Sequence, residues 1–349
     1  MKLLTISLGI RGGTILYAQH IMNHMTISSD YVISKYEQEN KLEKVATRIP
    51  LQLGKINALL FLLFYSPFIV IKLIFDLSRK KYDALYVLGS NWADLIYILI
   101  FRLFRKPIFY TVHEAVPRMG VNPKKYIQLS LQYANSVIFL SDYVRKQAYE
   151  YYKLNKPYLI SPHGLLYNLD QQNEVDDIQD KPKFLLVGMI NQYKGVDYLL
   201  DALPDIDPNI FGTITIAGTF SIPVPDSTDK LKVINQWLEE EEMIKLVKET
   251  DYLLLPYKSA SQSGVATLAL SFLKPAICSN IGALNTQFGD GAIYMEDTNS
   301  ATLKTAIEKA CTQKNVYDTL CAGLLAKRKE LEWGNIIKNL ESFLLDSIK

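Results

Sequence analysis

The sequence predicts an α/β protein built from two doubly wound domains, each a parallel sheet with helices on both faces. Three observations carry this. Short apolar runs bounded by Gly, Pro, Asn or Asp alternate with helical patterns along the chain, as expected of a parallel sheet buried on both sides. The pattern starts afresh after a polar, acidic stretch at 167–182. A length of 349 residues exceeds what one hydrophobic core usually holds.

In the first half, "KLLTISLG" reads as a strand, and Gly12-Gly13 opens a helix that runs through Met25. A secretory leader is the weaker reading. The opening apolar run is short, it ends at Arg11-Gly12-Gly13, and no small-residue cleavage site follows. Residues 56–75, "INALLFLLFYSPFIVIKLIF", have about the length of a membrane span. Pro67 interrupts them, however, and Lys72, Asp76, Arg79, Lys80 and Lys81 crowd their end, which favours a buried or membrane-surface helix. Next come the strand "DALYVLGS", the helix "WADLIYILIFRLFRK" and the Pro107-led strand "PIFYTVHE". The strands "SVIFLSD" and "PYLISPHG" complete the series.

Residues 167–182, "YNLDQQNEVDDIQDKP", read as a linker, with a surface loop as the alternative. The second half repeats the alternation with the strand "KFLLVG", the helix "GVDYLLDAL" and the strand "GTITIAGT". The helix "EEEEMIKLVKET" places its acids in the first turn, where the helix dipole favours them. The strand "DYLLLPY", a helix from Gly264 and the strand "PAICSN" follow. The tail from Trp333 spaces Ile336, Ile337, Leu340, Phe343 and Leu344 to form one apolar helix face.

Composition narrows the function. Lys plus Arg number 38 against 36 Asp plus Glu, which argues against a general nucleic-acid binder. The three cysteines, Cys278, Cys311 and Cys321, lack metal-site spacing and suit a reducing compartment.

In doubly wound folds, ligands sit at the carboxyl ends of strands, so the loops there hold the candidates. Gly188 ends a strand, and "MINQYKG" follows with Lys194 as its one cation. A Lys beside a helix start can hold a phosphate by charge and amide donors together; the alternative is an ordinary surface Lys before a turn. Ser261-Gln262-Ser263-Gly264 fall at another helix start, where free amides are donors and Gly allows close approach. There, Ser261 or Ser263 can equally be a plain N-cap.

Gly12-Gly13 make a third such turn, although "GIRGGT" lacks the last Gly of a dinucleotide fingerprint. His113-Glu114 end a strand and suit acid–base or hydroxyl-binding work. His163 in "SPHG" reads as a hinge or turn residue. His20 and His24 match a metal pair in spacing alone, and Asp205-Ile206-Asp207 is a Pro-flanked turn, so neither is taken as a metal site.

"VGMINQYKGVDYLLDAL", "TDYLLLPYKSASQSGVATLAL" and "KPAICSNIGAL" resemble the donor-binding half of group 1 glycosyltransferases, and "SLGIRGGT", "YTVHEAVPR" and "ISPHG" are similar to their acceptor half. The resemblance implies a retaining, nucleotide-sugar-dependent enzyme of the GT-B fold, with two Rossmann-like domains facing across a cleft. It implies an acceptor-side domain at 1–166, a donor domain at 183–332, and a C-terminal helix at 333–349 crossing back to the first domain. Lys194 then holds the donor diphosphate, with Gly188, Asn191, Ser261 and Gln262 lining the site and Ser263, Gly264 and Val265 offering amides. Gly12 and Gly13 approach the donor from the facing domain, and His113 with Glu114 meets the transferred sugar or acceptor.

The sequence also departs from the family. An Arg usual ahead of the Lys is absent from Met189-Ile190-Asn191, and Ala260 and Leu268 stand where many members carry paired Glu; a "SQSGV" type resembles this chain.

The expected reaction is metal-independent transfer of a sugar from a nucleoside-diphosphate sugar to a hydroxyl of a glycan or lipid-linked acceptor in cell-surface polysaccharide synthesis. No cofactor and no nucleic-acid partner is expected. The cations and aromatics of 92–106, with 56–75, suggest a cytoplasmic protein peripheral to the inner membrane face. The rival readings are a non-catalytic nucleotide-sugar-binding relative, favoured by the missing Arg and Glu, and an epimerase or hydrolase of the same fold. A dehydrogenase is disfavoured by the absent fingerprint.

Overall fold

The chain divides between Gly164 and Leu165 in a computed structural model that describes residues 1–10, 12–38, 41–52, 54–116, 125–166 and 178–348. One unit comprises Met1–Gly164 with Glu332–Lys349, the other Leu165–Leu331. The proposed linker lies outside the described residues up to 177.

The first unit holds a parallel sheet of β1 (Leu3–Ser7), β2 (Ser29–Ser34), β3 (Ala46–Ile49), β4 (Ala84–Val87), β5 (Ile108–Val112), β6 (Ser136–Phe139) and β7 (Tyr158–Ile160). Their spatial order is β3-β2-β1-β4-β5-β6-β7. Strand periodicity of two feeds two cores. Leu4, Ile6, Leu85, Val87, Tyr110 and Phe139 face one layer of helices. Leu3, Tyr86, Phe109 and Ile138 face the helices Gly13–His24 and Trp333–Asp346. The tail's apolar face is spent here, since Ile336, Ile337, Leu340 and Leu344 are buried in this second core. The Glu341 carboxylate ties the tail down by accepting from the Thr26 and Ile27 amides at 2.6 and 2.8 Å.

Strands β2 and β3 escape the sequence reading. β3 is the edge of its sheet, and of its four residues Ile49 alone is buried. Pro67 does not end its helix. The helix runs Lys55–Ser78 and widens into a π-turn at Phe61–Tyr65 just before the proline. Pro67 has no N–H to donate, and the Ser66 hydroxyl bonds the neighbouring Leu62 carbonyl at 2.8 Å.

The second unit repeats the topology with β8 (Phe184–Val187), β9 (Ile214–Gly218), β10 (Leu231–Asn235), β11 (Tyr252–Leu255), β12 (Ala276–Ser279) and β13 (Ala292–Met295). They are ordered β10-β9-β8-β11-β12-β13, all parallel. β10 and β13, both edge strands, are again additions to the sequence reading. The helix Glu240–Lys248 carries a full capping box between Glu239 and Glu242, which satisfies two orphan amides at its start. Leu165, just past the division, packs in this unit's core. Each sheet reverses its strand order once, between β1 and β4 in the first unit and between β8 and β11 in the second. Loops leaving those strand pairs at their carboxyl ends flank the crevice where such folds bind ligands.

Candidate active site

In the second unit, the switch-point loops are the two that the sequence singles out. The loop after β8 turns at Gly188 (φ 112°) and enters a 3-10 turn at Gln192–Lys194. Gly195 follows with φ 69°, and a Cβ there would lie 1.8 Å from the Pro256 carbonyl oxygen, so this glycine locks the loop after β8 against the loop after β11. That contact drives Lys194 inward. Its side chain is 5% exposed, and Nζ donates to the Tyr257 hydroxyl at 2.6 Å and the Val187 carbonyl at 3.4 Å. The ammonium also lies 4.4 Å from the Tyr257 ring centroid.

A Cβ on Gly188 would stand 3.5 Å from this Nζ and 3.9 Å from Val265 Cγ2, which brings Gly188, Lys194 and Val265 into one locality. The side-chain oxygen of Asn191 is buried without a hydrogen-bond partner among the described residues, and its backbone carbonyl accepts from the Lys194 amide at 3.0 Å.

The loop after β11 ends at the helix Gly264–Ser271. Here one expectation fails. The Ser263 amide is not free, because it donates to Gln287 Oε1 at 3.0 Å while Gln287 Nε2 donates back to the Ser263 carbonyl at 3.2 Å. A side-chain amide supplied by another helix fills the place assigned to a ligand. The Ser263 hydroxyl makes no capping bond and sits 3.5 Å from the Tyr257 hydroxyl.

The amides of Gly264 and Val265 remain. Neither has an acceptor among the described residues, as the first turn of a helix dictates. A Cβ on Gly264 would meet nothing within 4 Å, and its φ is not positive. Neither backbone nor packing therefore requires glycine there, and the helix start is open to a ligand. Ser261 and Gln262 are partly buried in the same loop. Ala260 and Leu268, at the positions of the missing carboxylates, are buried apolar residues of the unit's core.

In the first unit, Gly12 precedes and Gly13 opens the helix Gly13–His24, and a Cβ on either meets nothing within 4 Å. Tyr17, one turn into that helix, is the centre of a cluster absent from the sequence reading. Its ring lies edge-on to His113 at 5.1 Å and to His163 at 5.2 Å, with Trp333 at 6.0 Å. His113 Nε2 donates to the Leu88 carbonyl at 2.8 Å. A carbonyl can only accept, so Nδ1 keeps its lone pair in the neutral ring. Burial lowers the pKa of His113, opposed by the Leu88 bond and the Glu114 charge. His163 is no mere turn residue. It is buried, donates through Nδ1 to the Gly164 carbonyl at 2.9 Å, and is pushed down to about 4 by burial, against backbone bonds to Gly164 and Gly13. Both imidazoles are thus neutral at neutral pH, and His113 Nδ1 is left as an acceptor. His20 and His24 stack on Trp333 at 5.0 and 5.8 Å. The signal for this cluster was available in "SPHG" and Trp333, but only the fold brings them to Tyr17.

Residues 181–313 match the family described as glycosyl transferases group 1. An uncharacterized 41.2 kDa protein in the cps region of Klebsiella pneumoniae is 25% identical over 86% of this chain and 87% of its own. A GDP-mannose:glycolipid 4-beta-D-mannosyltransferase of Xanthomonas campestris pv. campestris is 26% identical over 32% of this chain and 35% of its own. The structure of HepE from Anabaena in complex with UDP-glucose superposes with a TM-score of 0.73 at 13% identity, covering 99% of this chain and 100% of that one. That likeness gives the GT-B glycosyltransferase fold. In sequence the second unit is thus similar to the group 1 glycosyltransferases over residues 181–313, and the two units have the fold of GT-B glycosyltransferases.

Proposed function

We propose that this enzyme moves a hexose from a nucleoside-diphosphate sugar to a hydroxyl of a glycan or lipid-linked acceptor, with retention and without a metal, in cell-surface polysaccharide synthesis. The observation that carries the reading is the pairing, at one switch point, of the buried Lys194 ammonium with the open amides of Gly264 and Val265. An ammonium and a helix N-terminus in one crevice make an anion site. The charge that grows on a departing diphosphate is what such preorganised donors stabilise. The relatives fit this reading: one is named for GDP-mannose and a glycolipid, another lies in a cps region, and HepE was solved with UDP-glucose. In the first unit, His113 Nδ1 is the proposed acceptor for a substrate hydroxyl, with Glu114 beside it in sequence.

The test is thermal stabilisation by UDP, GDP and dTDP and their sugars, followed by nucleotide release with and without acceptor. A nucleotide at 100 times its dissociation constant adds about 2.7 kcal/mol. Retained turnover in EDTA and an unchanged anomeric configuration by NMR are expected. Binding without turnover would favour a non-catalytic relative. Loss of turnover in EDTA, restored by magnesium, would overturn the metal-free reading.

A further inference from the structure

The helix Lys55–Ser78 is long and apolar enough to cross a membrane, yet its place in the fold forbids crossing. It connects β3 to β4, two strands of one parallel sheet with β2 and β1 between them. Its inner face packs on that sheet through Phe61, Leu73 and Leu77, which are buried in the first core. A helix fixed along the sheet cannot also stand across a bilayer.

Its outer face is apolar as well. Ile56, Leu60, Phe64, Phe68, Ile71 and Phe75 recur every three or four residues, and Ile56, Phe68 and Ile71 are 76%, 73% and 66% exposed. The adjoining helix Asp94–Leu103 adds exposed Leu99 and Leu103. A continuous apolar surface of this kind marks a contact with a partner or a membrane.

Charge decides between them. Lys55, Arg79 and Lys80 bracket the helix, and Arg102 and Arg105 end its neighbour. Among the described residues none of these five has a carboxylate partner. The acid on this helix, Asp76, is already held by Lys72 at 2.6 Å and Lys81 at 3.6 Å. A second copy seated on the patch would oppose cations to cations. An anionic lipid surface supplies both hydrocarbon and counter-charge. We infer that the helix Lys55–Ser78 is an in-plane anchor that lays the first unit on an anionic bilayer, with Phe64, Phe68 and Ile71 in the acyl boundary and the flanking cations among the headgroups. This stands independently of the donor assignment.

The test is flotation of the full chain with vesicles of phosphatidylcholine mixed with phosphatidylglycerol, and of phosphatidylcholine alone. The wild type is expected to float with the mixed vesicles and far less with the neutral ones. Phe68→Ser and Ile71→Ser, both at exposed positions, should each weaken binding about tenfold with unchanged melting temperature. Arg79→Gln with Lys80→Gln should weaken binding to the mixed vesicles alone. Tryptophans introduced as Phe64→Trp and Phe75→Trp should be quenched by brominated lipids at one shallow depth.

A wild type that stays with the buffer, or serine variants that float as well as it does, would overturn the inference. So would two tryptophans at clearly different depths, which indicate spanning. Light scattering that shows a dimer dissolved by Phe68→Ser, with no vesicle binding, would assign the face to a second copy.

Discussion

Replacing Lys194 by Met removes the ammonium and keeps the length of the side chain. The consequence can be worked from its surroundings. The side chain is 5% exposed, so a phosphate oxygen that reaches Nζ meets a charge little screened by solvent. Two unit charges 4 Å apart interact by about 4 kcal/mol at an effective dielectric constant of 20. Stripping water from the diphosphate offsets part of this, which leaves about 2–4 kcal/mol, or roughly 30- to 1,000-fold in affinity or in kcat/KM. The folded state should change little. Met loses the bond to the Tyr257 hydroxyl, worth about 1 kcal/mol, but spares the protein a desolvated ammonium. Calorimetry with UDP and GDP, each compared with its nucleoside, reads the effect directly. The diphosphate advantage should collapse in Lys194→Met while nucleoside binding and melting temperature hold. If Lys194→Met binds the nucleoside diphosphate within about threefold of wild type, the anion-site assignment fails.

Three further perturbations separate site from scaffold. Gly264→Val adds a side chain that meets no protein atom at Cβ, so stability should move by less than about 1 kcal/mol while diphosphate affinity falls at least tenfold; equal affinity would remove Gly264 from the site. Asp94 is fully buried with one oxygen unpartnered, and burial pushes its carboxyl up to about 8. Between pH 4 and 8 the folded chain holds a proton that the unfolded chain has lost. Stability therefore falls as pH rises through that window, by up to about 1.4 kcal/mol per unit, and Asp94→Asn should flatten the slope in urea titrations. His163 titrates the other way. With a folded value of about 4 against an unfolded value of about 6.5, the unfolded chain holds the extra proton between those limits, so stability rises with pH there. His163→Gln should remove that rise; a slope equal to that of wild type would show that the ring is protonated in the fold.

Much of this was legible along the chain, and the reasons are local. β1, β4, β5, β8 and β11 are apolar runs because both faces of a parallel sheet are buried, and a run of that kind needs no neighbour to be recognised. β2, β3, β10 and β13 are not legible, three of them being sheet edges and β2 lying next to one; in β3 and β10 mixed exposure dilutes the apolar signal. Gly188, Lys194 and Gly264 were legible as strand-end loops. The fate of the Ser263 amide was not, because its acceptor, Gln287, lies 24 residues away on another helix. Nor was the Tyr17 cluster, whose members Tyr17, His113, His163 and Trp333 come from four separate segments.

The sequence by itself determined the alternation of strand and helix, the division into two α/β halves, the loops that carry polar chemistry and the family resemblance. Each of these depends on residue type and on spacing within one element or turn, where backbone sterics and side-chain periodicity act over a few residues. Only the tertiary structure decided which loops are neighbours. Lys194 and Tyr257 are 63 positions apart and meet because β8 and β11 pair at a reversal of strand order. It also decided that an apolar helix at 55–78 shows one face to the core and the other to the outside. An apolar residue reads the same in sequence whether it is buried or exposed, and only the packing of other elements against it tells the two apart.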